Sequence, residues 1–260
     1  TVAGGNGSGS AGNQLNFYVW GLFAGVATDA SGNVYVSDKA NHRIQKWTPG
    51  ATVGTTVAGG NGSGSGSNQF TYPNGMAVDA SGNLYIADAG NDRVQKWATG
   101  ATEGVTVAGG NGRGDNANQL NIPAGIALDA LGNVYIGDRE NHRVQKWAPG
   151  ATEGVTVAGG NGNNSNANQL TYPYGVAVDA SDNVYVVDVN NHRIQKWAPG
   201  ATEGITVAGG NGNGYNSNQF NLPAGLAVDA TGNIYVTERE GDRVQKWSPG
   251  ATEGVTVVGG

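Results

Sequence analysis

The chain has 260 residues, enough for one sizeable domain or two small ones, and carries a formal net charge of −6. It has no cysteine, which excludes disulfide bonds, thiol chemistry and cysteine metal ligands. Six Trp and ten Tyr, spaced regularly, argue against disorder, and no apolar run is long enough to form a membrane-spanning helix.

The first predicted element is a short β-type run at 1–5, TVAGG, followed by a connection over 6–24. Four runs follow, GVATD, NVYVSD, RIQKW and TTVAGG, separated by turn-forming residues. This set recurs with a period of 50 residues, marked by a tryptophan that ends each third run (Trp47, Trp97, Trp147, Trp197 and Trp247). No stretch has a helical period, so the chain is predicted to be all-β. A repeated four-stranded unit of this length indicates a β-propeller, in which neighbouring sheets, called blades, pack face to face.

The repeats predict five blades in one domain over 1–260, at approximately 25–60, 75–110, 125–160, 175–210 and 225–260. The run at 1–5 is then an extra outer strand, and 6–24 is a loop at the joint between the last and first blades. Two alternatives stay open: part of a six-bladed ring, or an assembly in which copies exchange strands. The loop carries an apolar insertion at 16–24, which we expect to be buried across the joint or against a second molecule.

The segment PAGIALDALGNVYIGDRENHRVQKW at 123–147, with near copies in the other units, resembles the NHL repeat. The resemblance covers essentially the whole chain and implies a propeller, most often six-bladed, which departs from the five sets found here. Some NHL-like propellers bind RNA through a basic face, and others are enzymes that hold metal through histidines, such as the amidating lyases.

Charges that recur in every unit are interpreted as scaffold. Asp29 and its copies open a tight turn, where a carboxylate oxygen accepts backbone N–H groups two residues on. Asp38 and Arg43, with their copies, flank the next turn and are predicted to pair across it. The histidines His42, His142 and His192 share one loop position, which is a poor arrangement for converging on a metal, and are interpreted as turn residues.

The candidate binding residues are those without a counterpart in every repeat, together with the insertion. Most lie in two loop sets, the turns between the second and third strands and the connections between blades, which emerge at the same end of a propeller. They are Trp20, Phe23, Lys39, Arg113, Asp115, Arg139, Glu140, Tyr174, Tyr215, Arg239 and Glu240.

These observations favour a non-enzymatic binding or adhesion scaffold that presents the loop face to a protein or glycan, as part of a secreted or cell-surface bacterial protein. One alternative is a metal-assisted lyase or hydrolase at the channel mouth, and another is an amplified or engineered propeller fragment without a ligand. We expect no cofactor, although channel Ca²⁺ or Zn²⁺ stays open without sequence support. Nucleic acid is not expected, because the loops carry more acids than bases, nor is membrane insertion. A homodimer through the extra strand or the apolar loop stays open.

Overall fold

The computed structural model describes residues 1–17 and 24–260. The described chain forms five four-stranded antiparallel sheets, each built from four strands that follow one another along the chain. The prediction of an all-β, five-bladed β-propeller is confirmed.

The strands have the same order in each blade, and their bounds are as follows. The first strands are β1 (Val26–Thr28), β5 (Pro73–Val78), β9 (Pro123–Leu128), β13 (Pro173–Val178) and β17 (Pro223–Val228). The second are β2 (Val34–Asp38), β6 (Leu84–Asp88), β10 (Val134–Asp138), β14 (Val184–Asp188) and β18 (Ile234–Glu238). The third are β3 (Arg43–Trp47), β7 (Arg93–Trp97), β11 (Arg143–Trp147), β15 (Arg193–Trp197) and β19 (Arg243–Trp247). The outer strands are β4 (Thr55–Gly59), β8 (Val105–Gly109), β12 (Val155–Gly159), β16 (Ile205–Gly209) and β20 (Val255–Gly259).

Helical structure in the described residues is limited to single 3-10 turns that join the second strand to the third in four blades (Lys39–Asn41, Ala89–Asn91, Arg139–Asn141 and Val189–Asn191). Within a blade, the proline that begins the first strand pairs with the last residue of the second, as Pro173 does with Asp188. Arg193, which begins the third strand, pairs with Gly209 at the end of the outer strand. The 3-10 turn and both blade connections therefore lie at one end of each blade, here called the loop end.

Residues 1–5, expected to be an extra outer strand, contain no strand. The fifth blade takes its outer strand from its own sequence, since β20 pairs with β19 from Arg243↔Gly259 to Lys246↔Val255. The pairing edge of β19 is therefore already occupied by β20, which is the physical reason for the difference.

The described residues divide into two compact units, one within 1–126 with 150–153 and the other formed by 127–149 with 154–260. The first unit contains a core between the first two blades, formed by Tyr35, Ile44, Ala58, Phe70, Met76, Leu84, Ile86 and Trp97. The second contains the equivalent core between blades 3 and 4, formed by Tyr135, Val144, Ala158, Leu170, Val176, Val184, Val186 and Trp197. In both cores, one blade contributes a tyrosine, a branched residue and an alanine. The next blade contributes a tryptophan and branched residues of its second strand. The prediction of one domain over 1–260 stays a prediction.

Candidate interaction site

The recurring carboxylates are used by the scaffold, as the sequence predicts. Asp88 is fully buried and accepts hydrogen bonds from Thr71 N (2.7 Å), Asn91 Nδ2 and Arg93 Nε (both 2.8 Å). Arg93 in turn donates to the carbonyls of Ser65 and other connection residues. Burial raises the pKa of Asp88, and the bonds from Asn91, Thr71 and Arg93 oppose this. Each such pair fastens the connection that leads into its own blade.

The carboxylates at the opposite end of each blade hold the turn between the first two strands. Asp29 Oδ1 accepts the backbone N–H of Ser31 and Asn33, both at 3.0 Å, and Oδ2 accepts Asn33 Nδ2 at 2.7 Å and the Tyr35 hydroxyl at 2.9 Å. The side-chain bond from Asn33 is the main cause that lowers the pKa of Asp29 to about 2. Burial and the bond to Asp29 raise the pKa of Tyr35 to about 12. The turn assignment from sequence is confirmed.

The histidines are turn residues, and each lies in the left-handed region directly after a 3-10 turn (His42 φ 53°, His142 φ 53°, His192 φ 51°). His42 Nδ1 accepts the backbone N–H of Tyr72 at 3.4 Å, and His142 Nδ1 accepts that of Tyr172 at 3.2 Å. Burial lowers the pKa of all three, so the neutral imidazole that can accept these bonds is favoured. Within residues 1–17 and 24–260, no cluster of three or more His, Asp or Glu is placed to hold a metal ion.

The tyrosine bound by His142 also contacts one of the candidate binding residues. The Tyr172 ring lies 4.9 Å from the His142 ring, edge to face, and the Arg139 guanidinium lies 4.9 Å from the Tyr172 ring centroid. Glu140 forms an ion pair with Arg139, and their side chains are 29% and 23% exposed. The result is a partly buried row of histidine, tyrosine and arginine at the loop end, which we call the Arg139 cluster.

The Arg139 cluster depends on a combination that the repeats do not share. The position of Arg139 is occupied by Lys39, Ala89, Val189 and Arg239 in the other units, and that of Tyr172 by Tyr72, Ile122 and Leu222 in the three others that carry the proline. Arg139 and Glu140 are candidates from the sequence, whereas His142 and Tyr172 are not, because both occupy repeat positions. The signal that could have found them is the coincidence of histidine with a tyrosine 30 residues on.

Arg113 lies beside a blade in which the histidine is replaced by Asp92. Asp92 Oδ1 accepts the backbone N–H of Ile122 at 2.9 Å, as His42 and His142 do for Tyr72 and Tyr172, and Oδ2 pairs with Arg113 Nε at 3.1 Å. Arg113 therefore compensates a charge that the substitution introduces at a scaffold position. Asp115, on the same connection, is exposed.

Two candidate residues expected to be exposed at the loop end are buried. Lys39 is 0% exposed and Tyr174 is 6% exposed. Their positions are also buried where the side chain is small, since Ala89 is 1% and Ala124 0% exposed. For Tyr174 the position in the blade accounts for the burial, whereas the position of Lys39 is exposed where Arg239 occupies it. A binding role for either residue stays a prediction.

The remaining candidates fall into an exposed group and a group outside the described residues. Tyr215 is 66% exposed, and its carbonyl accepts a hydrogen bond from Arg243 Nη1 at 2.7 Å. Arg239 and Glu240 form a half-exposed ion pair of 3.4 Å. Trp20 and Phe23 lie outside the described residues.

Comparison of the fold with solved structures shows many matches at low sequence identity, three of which illustrate the range. A chain of a nidogen/laminin complex is 20% identical with a TM-score of 0.67, covering 89% of this chain and 78% of that one. A gluconolactonase from Xanthomonas campestris is 17% identical with a TM-score of 0.67, over 90% and 75%. A virginiamycin B lyase from Staphylococcus aureus is 10% identical with a TM-score of 0.60, over 93% and 71%. At these identities the likeness is one of fold alone.

A comparison with curated proteins found no match. The family model for the NHL repeat matches five times, at 24–47, 70–97, 120–147, 170–197 and 220–247, once in each blade. The matched segments hold the first three strands, the carboxylate turns and the Asp–Arg pairs described above. The chain belongs to the NHL repeat family.

Proposed function

We propose that the chain is a non-enzymatic interaction scaffold that presents the loop end of its blades to a protein or glycan partner outside the cell. The observation that carries the proposal is the Arg139 cluster, in which an arginine with about a quarter of its side chain exposed lies over a tyrosine ring. Arginine and tyrosine dominate binding energy at protein interfaces, and an aromatic face also suits the C–H face of a sugar. The charges that recur in every blade, by contrast, are used to hold turns and connections together.

The solved relatives are consistent with more than one use of this fold. One comes from a complex of two proteins, nidogen and laminin, whereas the gluconolactonase and the lyase are named as enzymes. A metal-assisted lyase or hydrolase is the competing reading. It predicts stoichiometric Zn²⁺ or Ca²⁺ in the purified protein, which elemental analysis measures directly and which would count against the scaffold. In the described part of the chain, no helix is long and apolar enough to cross a membrane.

The test uses the purified chain as the probe on a printed glycan array and against a displayed peptide library. For a ligand so found, Arg139→Ala should weaken binding by about 10-fold to 100-fold, as expected for an interfacial arginine. Leu131→Ser is the control, because Leu131 is 78% exposed in the turn at the opposite end of the same blade. Ligands that are equally sensitive to both variants, or to neither, would contradict the assignment, as would the absence of any ligand.

A further inference from the structure

Each blade has two different faces, and each is defined by three side chains. The front face carries a tyrosine of the second strand, a branched residue of the third and a small residue of the outer strand, such as Tyr35, Ile44 and Ala58 in blade 1. The back face carries two branched residues of the second strand and the tryptophan of the third, such as Leu84, Ile86 and Trp97 in blade 2. In the core between these two blades, the front face of one packs on the back face of the other.

The front face of blade 5 is exposed, although its sequence follows the same pattern. Val258 is 63% exposed, whereas Ala58, Ala108, Ala158 and Ala208 at its position are at most 2% exposed. Val244 is half-buried, whereas its counterparts in the other four blades are 0% exposed. Val257 on the same strand is 46% exposed. Val258 and Val244 are thus apolar side chains at positions that are buried in the other four blades.

The backbone shows the same difference on the first strands. A Cβ built on Gly75 would lie 2.4 Å from the carbonyl oxygen of Ala124, and one on Gly175 would lie 2.6 Å from that of Ala224, so the following blade approaches these glycines directly. At Gly225 the nearest atom is the Thr237 hydroxyl of its own blade, at 2.8 Å. The surface that would receive a following blade is therefore present and uncovered at blade 5.

The back face of blade 1 is also partly exposed. Val26 is 61% exposed, whereas Met76, Ile126 and Val176 at its position are 6–7% exposed. Val34 is half-buried, compared with 4% exposure for Leu84. Val36 and Trp47, at 4% and 2% exposure, are covered.

Residues 1–6 make contacts with residues leading into blade 1. These contacts resemble those that an outer strand and the start of its connection make with the following blade in the other units. Asn6 Nδ2 donates to the Asn13 carbonyl at 3.2 Å, as Asn61 does to Asn68 at 3.0 Å. A Cβ on Gly4 would meet the Leu15 side chain, as one on Gly59 would meet Phe70. A cavity of about 640 Å³ lies between residues 1–6 and the Trp47 region, so this cover is loosely packed. The segment therefore occupies the place of an outer strand without filling it.

We propose that the front face of blade 5 binds the back face of blade 1 of a second copy of this chain, with β20 of the first copy displacing residues 1–5 of the second. The two faces are of the kind that pack together in the interblade cores, and both are apolar. The second-strand valines of this back face, Val34 and Val36, correspond to Val184 and Val186 in the core between blades 3 and 4, and Val258 is larger than the Ala158 that packs there. The contact is head-to-tail, because it joins different faces of the two copies, so each copy keeps one free face until a ring closes, and assemblies grow with concentration.

The test is sedimentation equilibrium of the full chain and of variants, from micromolar to millimolar concentration. The wild type should exceed the 26.4 kDa of one chain as concentration rises. Val258→Asp should weaken association by about tenfold or more, because it places a charge in an apolar interface. Val105→Asp is the matched control, since Val105 is 69% exposed and its position is exposed in every blade. Deletion of residues 1–5 should strengthen association.

A wild type that stays at the mass of one chain would overturn the proposal, as would equal weakening by Val258→Asp and Val105→Asp. A second measurement distinguishes a second copy from another partner and from cover of the face by the chain itself. The chain has no cysteine, so Val258→Cys provides a single thiol. In the proposed assembly, thiol labelling slows as protein concentration rises. Labelling that is fast at every concentration indicates a face open to some other partner, and labelling that is slow at every concentration indicates cover by the chain itself; both contradict the second copy.

Discussion

Val144 and Val244 are the same residue at the same register, opposite Ala158 and Val258, but their surroundings differ. Val144 is 0% exposed within the core between blades 3 and 4, whereas Val244 is half-buried on the front face of blade 5. Substitution of each by alanine therefore removes the same atoms from two environments. The difference in the cost of the two substitutions measures how much a covering blade adds to the stabilisation that this valine provides.

The expected costs follow from burial. Val144→Ala removes two buried carbons, which costs about 1.6 kcal/mol of transfer free energy, and the cavity left behind brings the total to about 2 to 3 kcal/mol. Val244→Ala removes two carbons that are only partly buried, so we expect about half the transfer cost and no enclosed cavity, about 1 kcal/mol or less. The difference between the two variants is then about 1 to 2 kcal/mol.

Urea unfolding, followed by far-UV circular dichroism and tryptophan fluorescence, measures both costs. The protein must be dilute enough to sediment as one chain, and the two probes must give coincident transitions, because repeat proteins do not always unfold in one step. Equal destabilisation by the two substitutions under these conditions would show that Val244 is covered within the single chain. If the chain self-associates through this face, the cost of Val244→Ala should rise at concentrations where association occurs.

Three further predictions concern the glycines and the turn carboxylates. Gly75→Ala should destabilise the chain by about 1 to 3 kcal/mol in urea unfolding, because its Cβ would overlap the backbone of the next blade. Gly225→Ala should cost less, because its Cβ would meet only the Thr237 side chain, which can rotate. Equal costs for the two variants would contradict this. Asp182 has φ 60° where four other units have glycine, so Asp182→Gly should raise stability by about 0.5 to 1 kcal/mol, and a loss of stability would show that its carboxylate has a separate role. The pKa of Asp29 is lowered from 3.8 to about 2, so the stabilisation of the folded chain by this carboxylate is complete above pH 3.8 and is lost as the pH falls towards 2. The difference in melting temperature between wild type and Asp29→Asn should shrink over this range. A constant difference would refute the assignment.

The sequence predicts the strands and the scaffold charges well because both depend on local chemistry repeated five times. A carboxylate that opens a turn meets its own turn in every blade, as Asp29 does. The Asp–Arg pair needs only two residues on adjacent strands, and Asp88 and Arg93 are partners in the sheet register. Such features do not depend on which blade comes next.

Features that depend on neighbouring segments could not be predicted in the same way. The residue before a proline normally avoids helical backbone and favours extended conformations, yet Tyr72 and Tyr172 adopt φ 54°. Their backbone N–H groups are bonded by His42 and His142 of the preceding blade. Leu222 adopts φ 50° although His192 Nδ1 makes no hydrogen bond, so the histidine bond accompanies this backbone conformation and does not cause it. Likewise, nothing in the local pattern around Val244 distinguishes it from Val144, because exposure is set by what packs on the strand.

The residues that differ between repeats are of two kinds, and only the structure separates them. Arg113 differs because Asp92 replaces a histidine, and the two substitutions together preserve the bond to Ile122 and the local charge balance. Arg139 instead pairs with Glu140 and lies over Tyr172, in a row whose histidine–tyrosine bond is also made in blade 1, where Lys39 occupies the corresponding position. A residue that varies because it compensates another substitution maintains the scaffold. A residue whose variation compensates no such substitution is the better candidate for contact with a ligand. Binding specificity should therefore be sought at Arg139 and at exposed Tyr215 before Arg113.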